Sequence, residues 1–213
     1  MFYETKNHHG LPHDPFKSCL VPRLIGWIST LSSDGVVNLA PYSFFQGIAT
    51  DPPMVMFVSM GDQPTGPKDT VTNIEATGEF VCNMATWDLR DQMNISCAAV
   101  PADVDEMEIA GLEKEPSVLV KPPRVKASPI HMECTHYQTI QLPSNNPKYK
   151  QTMVLGYVKG VHIKDEVLTD GIVDITKVRP IARMGYMDYA VVNDVFTMFR
   201  PSAEDVMAVE EAE

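Results

Sequence analysis

The sequence predicts a mainly β protein: a Greek-key-like antiparallel barrel with a few peripheral helices. Short runs rich in β-branched and aromatic residues recur along the chain, and seventeen prolines and twelve glycines separate them. Helical spacing is confined to a few short segments, which alternate with the strands too irregularly for a doubly wound parallel sheet. Neither the G-x-G-x-x-G fingerprint nor the Walker A loop is present, so a nucleotide would have to bind by another route.

Four strands are predicted in the first quarter of the chain. The first two are joined by Ser33-Asp34-Gly35, which is typical of a hairpin turn because glycine tolerates a positive φ. The fourth is continuous and apolar, as expected for a strand buried on both faces. The predicted strands are residues 25–30, residues 36–40, the run from Pro41 to the break at Asp51-Pro52-Pro53, and residues 54–59.

The remaining elements alternate helices with strands. A Gly/Pro-rich loop at 61–67 precedes a helix that Asp69 or Thr70 can cap and that Gly78 can end. Leu89, Met93 and Cys97 recur at helical spacing and predict the next helix. Helices are predicted at 70–76, 86–98 and 103–110, strands at 80–84, 130–141, 153–163 and 179–184, and a polar loop at 143–149.

Composition sets limits on organisation and partners. The 213 residues predict one domain over 1–200, followed by an acidic tail at 201–213 that we expect to be flexible. Twenty-eight acidic residues against seventeen basic ones give a net charge of −11, which disfavours non-specific binding to nucleic acid or anionic membranes. The polar N-terminus lacks a signal-peptide pattern, so we expect a cytoplasmic protein with four reduced cysteines, of which Cys82 and Cys134 belong to the core.

A series of motifs runs through most of the chain. In order they are PRLIGWIST, SSDGVVNLAPYSFF, DPP, KDTVTNI, TGEFVCN, GYVKGVHI and RPIARMGYMDY. Their order and spacing resemble the flavin reductase-like, FMN-binding split-barrel family, which includes flavoredoxins, over Leu11 to Ala190. The resemblance implies a split barrel, an FMN cofactor, NADH or NADPH as electron donor, a homodimer, and an oxygenase or another electron-acceptor protein as partner.

Three functions stay open at this point. The first is an FMN-dependent NAD(P)H:flavin oxidoreductase, in which the cofactor carries the chemistry and no charged acid/base pair is required. The second is an FMN-binding electron carrier without nicotinamide oxidase activity, which would have the same fold. The third is a barrel-type interaction domain with no cofactor, which would give a colourless protein.

Lys68, Asp69 and Thr70 form the predicted phosphate site. They combine a cation, a hydroxyl and a helix start, where free N–H groups and the positive end of the helix dipole favour anions. Asn73, one turn further on, is an auxiliary candidate. An exposed lysine before an ordinary capped helix would explain the same residues, but the segment matches the Lys-Asp-Thr element of the family, which favours the phosphate site.

Hydroxyls and small residues at strand ends are the candidates for holding the flavin ring. The resemblance implies that the ring lies along the barrel strands and that backbone amides at strand ends bond to it. Serine and threonine that simply end strands are the alternative. The matching positions are Ser29, Thr30, Ala40, Pro41, Tyr42, Ser43 and Ser59.

Two arginines complete the candidate site. The planar guanidinium of Arg23 suits a phosphate or a carboxylate, and a surface ion pair is the alternative. The family often has proline after this arginine, where this chain has Leu24. Arg183 belongs to a late arginine-x-glycine element, followed by Tyr189, and its place near the flavin or at a dimer contact is left open.

A metal site is not expected. His131, Cys134 and His136 are close in sequence, but in a strand Cys134 and His136 share a face and His131 points away. Further ligands are not evident, so core or surface histidines are the simpler interpretation.

Overall fold

The computed structural model describes residues 1–62, 68–146, 149–203 and 206–207. The predicted loops at 61–67 and 143–149 and the predicted tail at 201–213 therefore fall partly outside the described residues. No helix in these ranges is long and apolar enough to cross a membrane.

Strands predominate. The strands are β1 (Gly26–Leu31), β2 (Val37–Tyr42), β3 (Phe45–Thr50), β4 (Pro53–Met60), β5 (Glu79–Met84), β6 (Lys114–Glu115), β7 (Arg124–Val125), β8 (Ile130–Leu142), β9 (Gln151–Ile163), β10 (Leu168–Thr169), β11 (Ile172–Val173), β12 (Ile181–Arg183) and β13 (Tyr189–Val191). The α-helices are α1 (Asp69–Thr77), α2 (Arg90–Ile95), α3 (Glu106–Ile109) and α4 (Ile175–Val178), and 3-10 turns occur at Phe16–Cys19, Trp87–Leu89 and Asp165–Val167.

Seven strands form one antiparallel sheet in the order β2-β1-β5-β8-β9-β4-β3. The sheet curls into a barrel, because the ring of Tyr42 on β2 lies 4.7 Å from the ring of Phe57 on β4, near the opposite end of the strand order. At Gly26 on β1 an added Cβ would lie 2.5 Å from the side chain of Phe45 on β3, so only glycine allows this approach. The predicted antiparallel barrel with peripheral helices is confirmed.

Two apolar cores lie on the two faces of the sheet. Successive side chains of β1 alternate between them: Ile28 points into the barrel and Trp27 points outward, and both are fully buried. Helix α1 closes the barrel with Val71 and Ile74, while α2 and α3 cover the outer face. The strands buried on both faces are therefore β1 and β5, whereas β4 keeps Met54 and Met56 only partly buried, contrary to the sequence expectation.

Several predicted boundaries are wrong for local reasons. Pro41 and Tyr42 do not begin the third strand but end β2, where they pair with β1. The helix predicted at 86–98 is divided into a 3-10 turn and the short α2, and the helix predicted from residue 103 begins only after Asp105, whose carboxylate caps α3. The last predicted strand starts at Ile181, because Arg179 adopts a left-handed conformation that ends the unpredicted helix α4.

Candidate functional site

Two adjoining pockets lie along the free edge of β2 and are together called the cleft. One part, of about 340 Å³, contains Lys68 and is called here the lysine end. The other, of about 230 Å³, contains Arg23 and Arg183 and is called the arginine end. The two parts share Pro41 on β2 and Cys97 on the facing segment.

The end of β2 leaves its backbone accessible because β2 is an edge strand. The N–H of Leu39 points to this edge and donates to the carboxylate of Glu106 on α3, at 2.9 Å. In an antiparallel strand the N–H and C=O of alternate residues point to the same side, so the carbonyl of Pro41 also faces the edge. Proline offers no N–H, which prevents another strand from pairing here and leaves an acceptor for a ligand.

A buried hydrogen-bond network stabilises the wall at the lysine end. Glu106 accepts from Asn38 Nδ2 at 2.9 Å, and Asn38 Oδ1 accepts from the hydroxyls of Thr70 at 2.7 Å and Thr30 at 3.3 Å. Asn73 Nδ2 in turn donates to Thr30 at 3.1 Å. Burial raises the pKa of Glu106, and these hydrogen bonds oppose the shift in part. The network joins α3, β2, β1 and α1, so the wall is held from four elements.

Lys68 lies at the start of α1 with free hydrogen-bonding capacity around it. No side chain caps the helix, and the N–H groups of Asp69 and Thr70 have no acceptor among the described residues. Burial lowers the pKa of Lys68, and within the described ranges no carboxylate pairs with it. The hydroxyl proton of Thr70 is committed to Asn38, so Thr70 offers its backbone N–H. A cation and two free amides therefore lie at the start of one helix, and Lys68 and Thr70 also line the cleft, an arrangement suited to a phosphate.

Tyr42 adds an unpartnered donor beside Lys68. Its hydroxyl is buried and makes no well-aligned hydrogen bond within the described part of the chain. Burial raises the pKa of Tyr42 to about 12, although the nearby hydroxyls of Thr70 and Ser59 oppose this. The Lys68 ammonium lies 5.6 Å from the centre of the Tyr42 ring. A buried hydroxyl without a partner is costly, which is expected where a ligand supplies the partner.

The facing wall is the segment 96–99 after α2. The indole N–H of Trp27 donates to Ser96 Oγ at 2.9 Å, and Ser96 donates to the carbonyl of Met93 at 2.8 Å, so the fully buried Trp27 fixes this wall. Packing around Cys97 raises the pKa of its thiol, and the positive charges of Arg183 and Lys68 lower it in part. Cys97 thus lies within electrostatic reach of both ends of the cleft.

Two guanidinium groups define the arginine end. The backbones of Arg23 and Arg183 exchange two hydrogen bonds of 3.0 Å. Arg23 Nη1 donates to the carbonyls of Lys17 and Leu20. Arg183 donates to the carbonyl of Tyr186 and to the hydroxyl of Tyr189. Burial and the positive charge of Arg183 lower the pKa of Arg23. The hydrogen bonds fix both side chains without neutralising them.

The structure brings most of the predicted site residues together. Five of them do not line the cleft: Ser29, Thr30, Ser59, Asp69 and Asn73. Ser29 faces the outer core and donates to the carbonyl of Pro123 at 2.6 Å, while Thr30 and Asn73 bond each other behind the wall. The predicted residues that line it are Arg23, Ala40, Pro41, Tyr42, Ser43, Lys68, Thr70 and Arg183.

Sequence reasoning missed the residues that build the walls. Asn38 and Glu106 could have been suspected only as polar residues in otherwise apolar or helical patterns. Ser96 and Cys97 were assigned to a continuous helix. Their contribution depends on long-range packing, which no local pattern reveals.

The three residues weighed as metal ligands serve separate roles. Cys134 is buried in the barrel core, His131 contacts the carbonyl of Val125 at 2.8 Å, and His136 contacts the hydroxyl of Thr139 at 2.9 Å. Over the described ranges, no group of three or more histidine, cysteine or acidic side chains is placed to hold a metal ion.

An antiparallel split barrel with a cleft at a strand edge defines the class of protein. A structure from Shewanella frigidimarina, described as a putative flavin reductase with split barrel domain, superposes with a TM-score of 0.77 at 21% identity, over 94% of this chain and 100% of that one. The family model for the flavin reductase like domain matches residues 18–182. The chain belongs to this flavin reductase-like family.

Two further proteins are similar over most of their length. An uncharacterized protein from Aquifex aeolicus is 37% identical over 167 residues, which cover 78% of this chain and 82% of that protein. Nitrilotriacetate monooxygenase component B from Bacillus cereus has a TM-score of 0.84 at 25% identity and covers 93% of this chain and 98% of its own.

Proposed function

We propose that this protein is an FMN-dependent oxidoreductase that takes electrons from NADH or NADPH. The observation that carries the proposal is the lysine end of the cleft, where an unpaired cation, two free helix amides and an orphaned tyrosine hydroxyl converge beside an accessible strand edge. Membership of the flavin reductase-like family supports flavin as the ligand.

The residues present fit FMN. Lys68 and the amides of Asp69 and Thr70 would hold the phosphate, a dianion that needs a cation and N–H donors. The orphaned hydroxyl of Tyr42 is a further donor for the phosphate or the sugar chain. Along the β2 edge, the carbonyl of Pro41 would accept from the ring N–H of the isoalloxazine, and Ser43 would lie beside the ring.

The protein's contribution is position rather than acid–base catalysis. When bound, FMN supplies the redox chemistry, since its ring accepts a hydride from a reduced nicotinamide and passes electrons onward. The network around Glu106 would hold the phosphate end fixed, and the segment 96–99, anchored by Trp27, would shield one side of the site from water. Glu106 itself is engaged with Leu39 and Asn38, so a role as proton donor is not required of it.

Anaerobic reduction separates the oxidoreductase from an electron carrier. The FMN-loaded protein is mixed with NADH or NADPH under anaerobic conditions, and loss of flavin absorbance is followed. Rapid bleaching by either nucleotide supports the proposal. A flavin that stays oxidised with both nucleotides and is reduced by dithionite would mean that the protein is a carrier, and a protein that binds no FMN would exclude both.

We also propose a homodimer. Four side chains after β13 are exposed in the single chain: Val195 at 63%, Phe196 at 85%, Met198 at 80% and Phe199 at 91%. An apolar segment this exposed is expected to be covered by a partner, and a second copy of the chain is the simplest one. Light scattering should give twice the chain mass at micromolar concentration, and a monomeric mass would contradict the proposal.

Reduced flavin needs an acceptor. The similarity to a monooxygenase component B supports an oxygenase, or another electron-acceptor protein, as the physiological partner in the cytoplasm. Coupled turnover with candidate oxygenases, with NADH consumption compared with product formed, tests this. Complete uncoupling with every oxygenase would favour another acceptor.

A further inference from the structure

The arginine end of the cleft carries positive charges that FMN, with its phosphate at the lysine end, would leave without a partner. FMN has one phosphate, and Lys68 with the start of the nine-residue helix α1 is built for it. Lys17, Arg23 and Arg183 line the other end of the same cleft. In a chain with a net charge of −11, three cations around one cavity that no described acidic residue lines need an explanation.

Arg23 and Arg183 are held together despite their like charges. They form an antiparallel bridge through two backbone hydrogen bonds of 3.0 Å, and side chains directly opposite in such a bridge project from the same face. Like charges at such positions are destabilising. Burial and, second to it, the positive charge of Arg183 lower the pKa of Arg23. Among the described residues, neither arginine forms an ion pair with a carboxylate.

The two side chains are fixed yet incompletely bonded. Arg23 Nη1 is bound to the carbonyls of the 3-10 turn that carries Lys17, but Arg23 Nε is buried and has no partner within the described ranges. The turn is packed tightly against the Arg183 hairpin, since a Cβ added at Gly185 would lie 1.9 Å from Ser18 Oγ. Preorganised, unpaired guanidinium groups of this kind suit an oxyanion, which they can bind through several N–H donors.

We propose that Lys17, Arg23 and Arg183 form a second oxyanion site, distinct from the phosphate site at Lys68, that holds the anionic group of the substrate exchanging electrons with the flavin. The inference rests on the proposed function in that the lysine end is taken by FMN. Pro41 and Cys97 are common to both ends, so a ligand at the arginine end would lie next to the flavin.

Two sources of the oxyanion share this chemistry. One is the diphosphate of a reduced nicotinamide dinucleotide, and the other is the carboxylate of an aromatic acid that accepts electrons. Tyr186 lines the same cavity and exposes 52% of its surface, which gives an aromatic group of either ligand a ring to stack on, whereas the Tyr189 ring is already stacked by the Arg183 guanidinium at 4.5 Å. The experiment must therefore distinguish the sources.

Binding is measured first, without turnover. Inorganic pyrophosphate and benzoate are titrated into the FMN-loaded protein, and the change in flavin absorbance gives the dissociation constants. The variants are Arg23→Gln and Arg183→Gln, and Arg179→Gln is the matched control, because Arg179 is a partly exposed arginine that pairs with Asp88 and does not line the arginine end. We expect at least about tenfold weaker binding of one anion in both variants and no change in the control.

Turnover then identifies the source. If the diphosphate is held here, the ratio of kcat/KM for NADH to that for the neutral donor 1-benzyl-1,4-dihydronicotinamide should fall at least about tenfold in Arg183→Gln. If an aromatic carboxylate is held here, the same fall should appear for a nitrobenzoate relative to nitrobenzene as acceptor. Equal losses for charged and neutral substrates would overturn the proposal.

The FMN affinity of the same variants separates this proposal from the proposed function. A large loss of FMN affinity in Arg183→Gln would mean that the arginines hold the cofactor, and it would overturn the second site. If the wild-type chain binds no FMN, the proposed function fails. The second site then stands only if pyrophosphate or benzoate, followed by the shift in melting temperature, still binds the Lys68→Ala protein and is lost on Arg183→Gln.

Discussion

Replacing Glu106 with alanine should destabilise the protein well beyond the effect of an ordinary surface substitution. The Glu106 residue is 5% exposed, and its carboxylate accepts two hydrogen bonds of 2.9 Å, from the backbone N–H of Leu39 and from Asn38 Nδ2. Glu106→Ala leaves both donors unsatisfied, at about 1–3 kcal/mol each. Because the adjoining cleft admits water to part of the site, we expect a loss of roughly 2–4 kcal/mol in the free energy of unfolding.

Glu108→Ala on the same short helix is the control. Glu108 is largely exposed and, among the described residues, its carboxylate pairs with Lys114 alone, so its removal should change the free energy of unfolding by no more than about 0.5–1 kcal/mol. Urea unfolding at pH 7, followed by tryptophan fluorescence, measures both variants, since Trp27 is fully buried beside the cleft. If Glu106→Ala were as stable as Glu108→Ala, the buried network would not support the cleft wall as argued.

Three further predictions follow from other groups. Tyr42→Phe removes an unpartnered buried hydroxyl, so the FMN-free protein should lose no stability while the FMN dissociation constant rises about three- to tenfold; lower stability with unchanged affinity would refute this. Thr70→Val loses the hydrogen bond to Asn38, so the free energy of unfolding in urea should fall by about 1 kcal/mol, and FMN affinity should fall less than in Lys68→Ala. A loss of FMN affinity as large as that of Lys68→Ala would show that the Thr70 hydroxyl binds the phosphate. Burial raises the pKa of Glu133, but hydrogen bonds from two backbone N–H groups and a histidine outweigh burial and lower it. The stability advantage of the wild type over Glu133→Gln should therefore shrink as the pH falls below about 4.3. A stability difference that stays constant with pH would contradict this prediction.

The fold was predictable because its signals are local. Prolines, glycines and alternating apolar runs mark most strands of the large sheet to within a few residues, and the motif order implied the barrel. The errors occur where tertiary pairing decides the outcome. Pro41 looks like a strand start, but pairing with β1 makes it the end of β2, and this placement creates the accessible edge on which the cleft depends.

The site was predictable only in part. Lys68 and the arginines are charged residues in recognisable motifs, so the sequence could propose them as ligands. The sequence could not distinguish Tyr42, which lines the cleft, from Ser29, which faces the outer core. Alternation shows that successive side chains lie on opposite faces of a strand, but it does not show which face of the folded sheet borders the cleft. Glu106 joins the site across 67 positions of sequence from Leu39, a contact that only the folded chain reveals.

Titration of FMN against the wild-type protein and Lys68→Ala, followed by quenching of flavin fluorescence, tests directly whether the lysine end holds the FMN phosphate. Lys126→Ala serves as the control, because Lys126 is an exposed lysine paired with Glu113 and is not among the residues lining the cleft. If Lys68 holds the phosphate, the wild type and the control quench the fluorescence, and Lys68→Ala loses about 1.5–3 kcal/mol of FMN binding free energy, which raises the dissociation constant roughly ten- to 150-fold. A wild-type protein that leaves flavin fluorescence unchanged, or a Lys68→Ala protein that binds FMN as tightly as the control, would contradict the assignment of the phosphate to the lysine end.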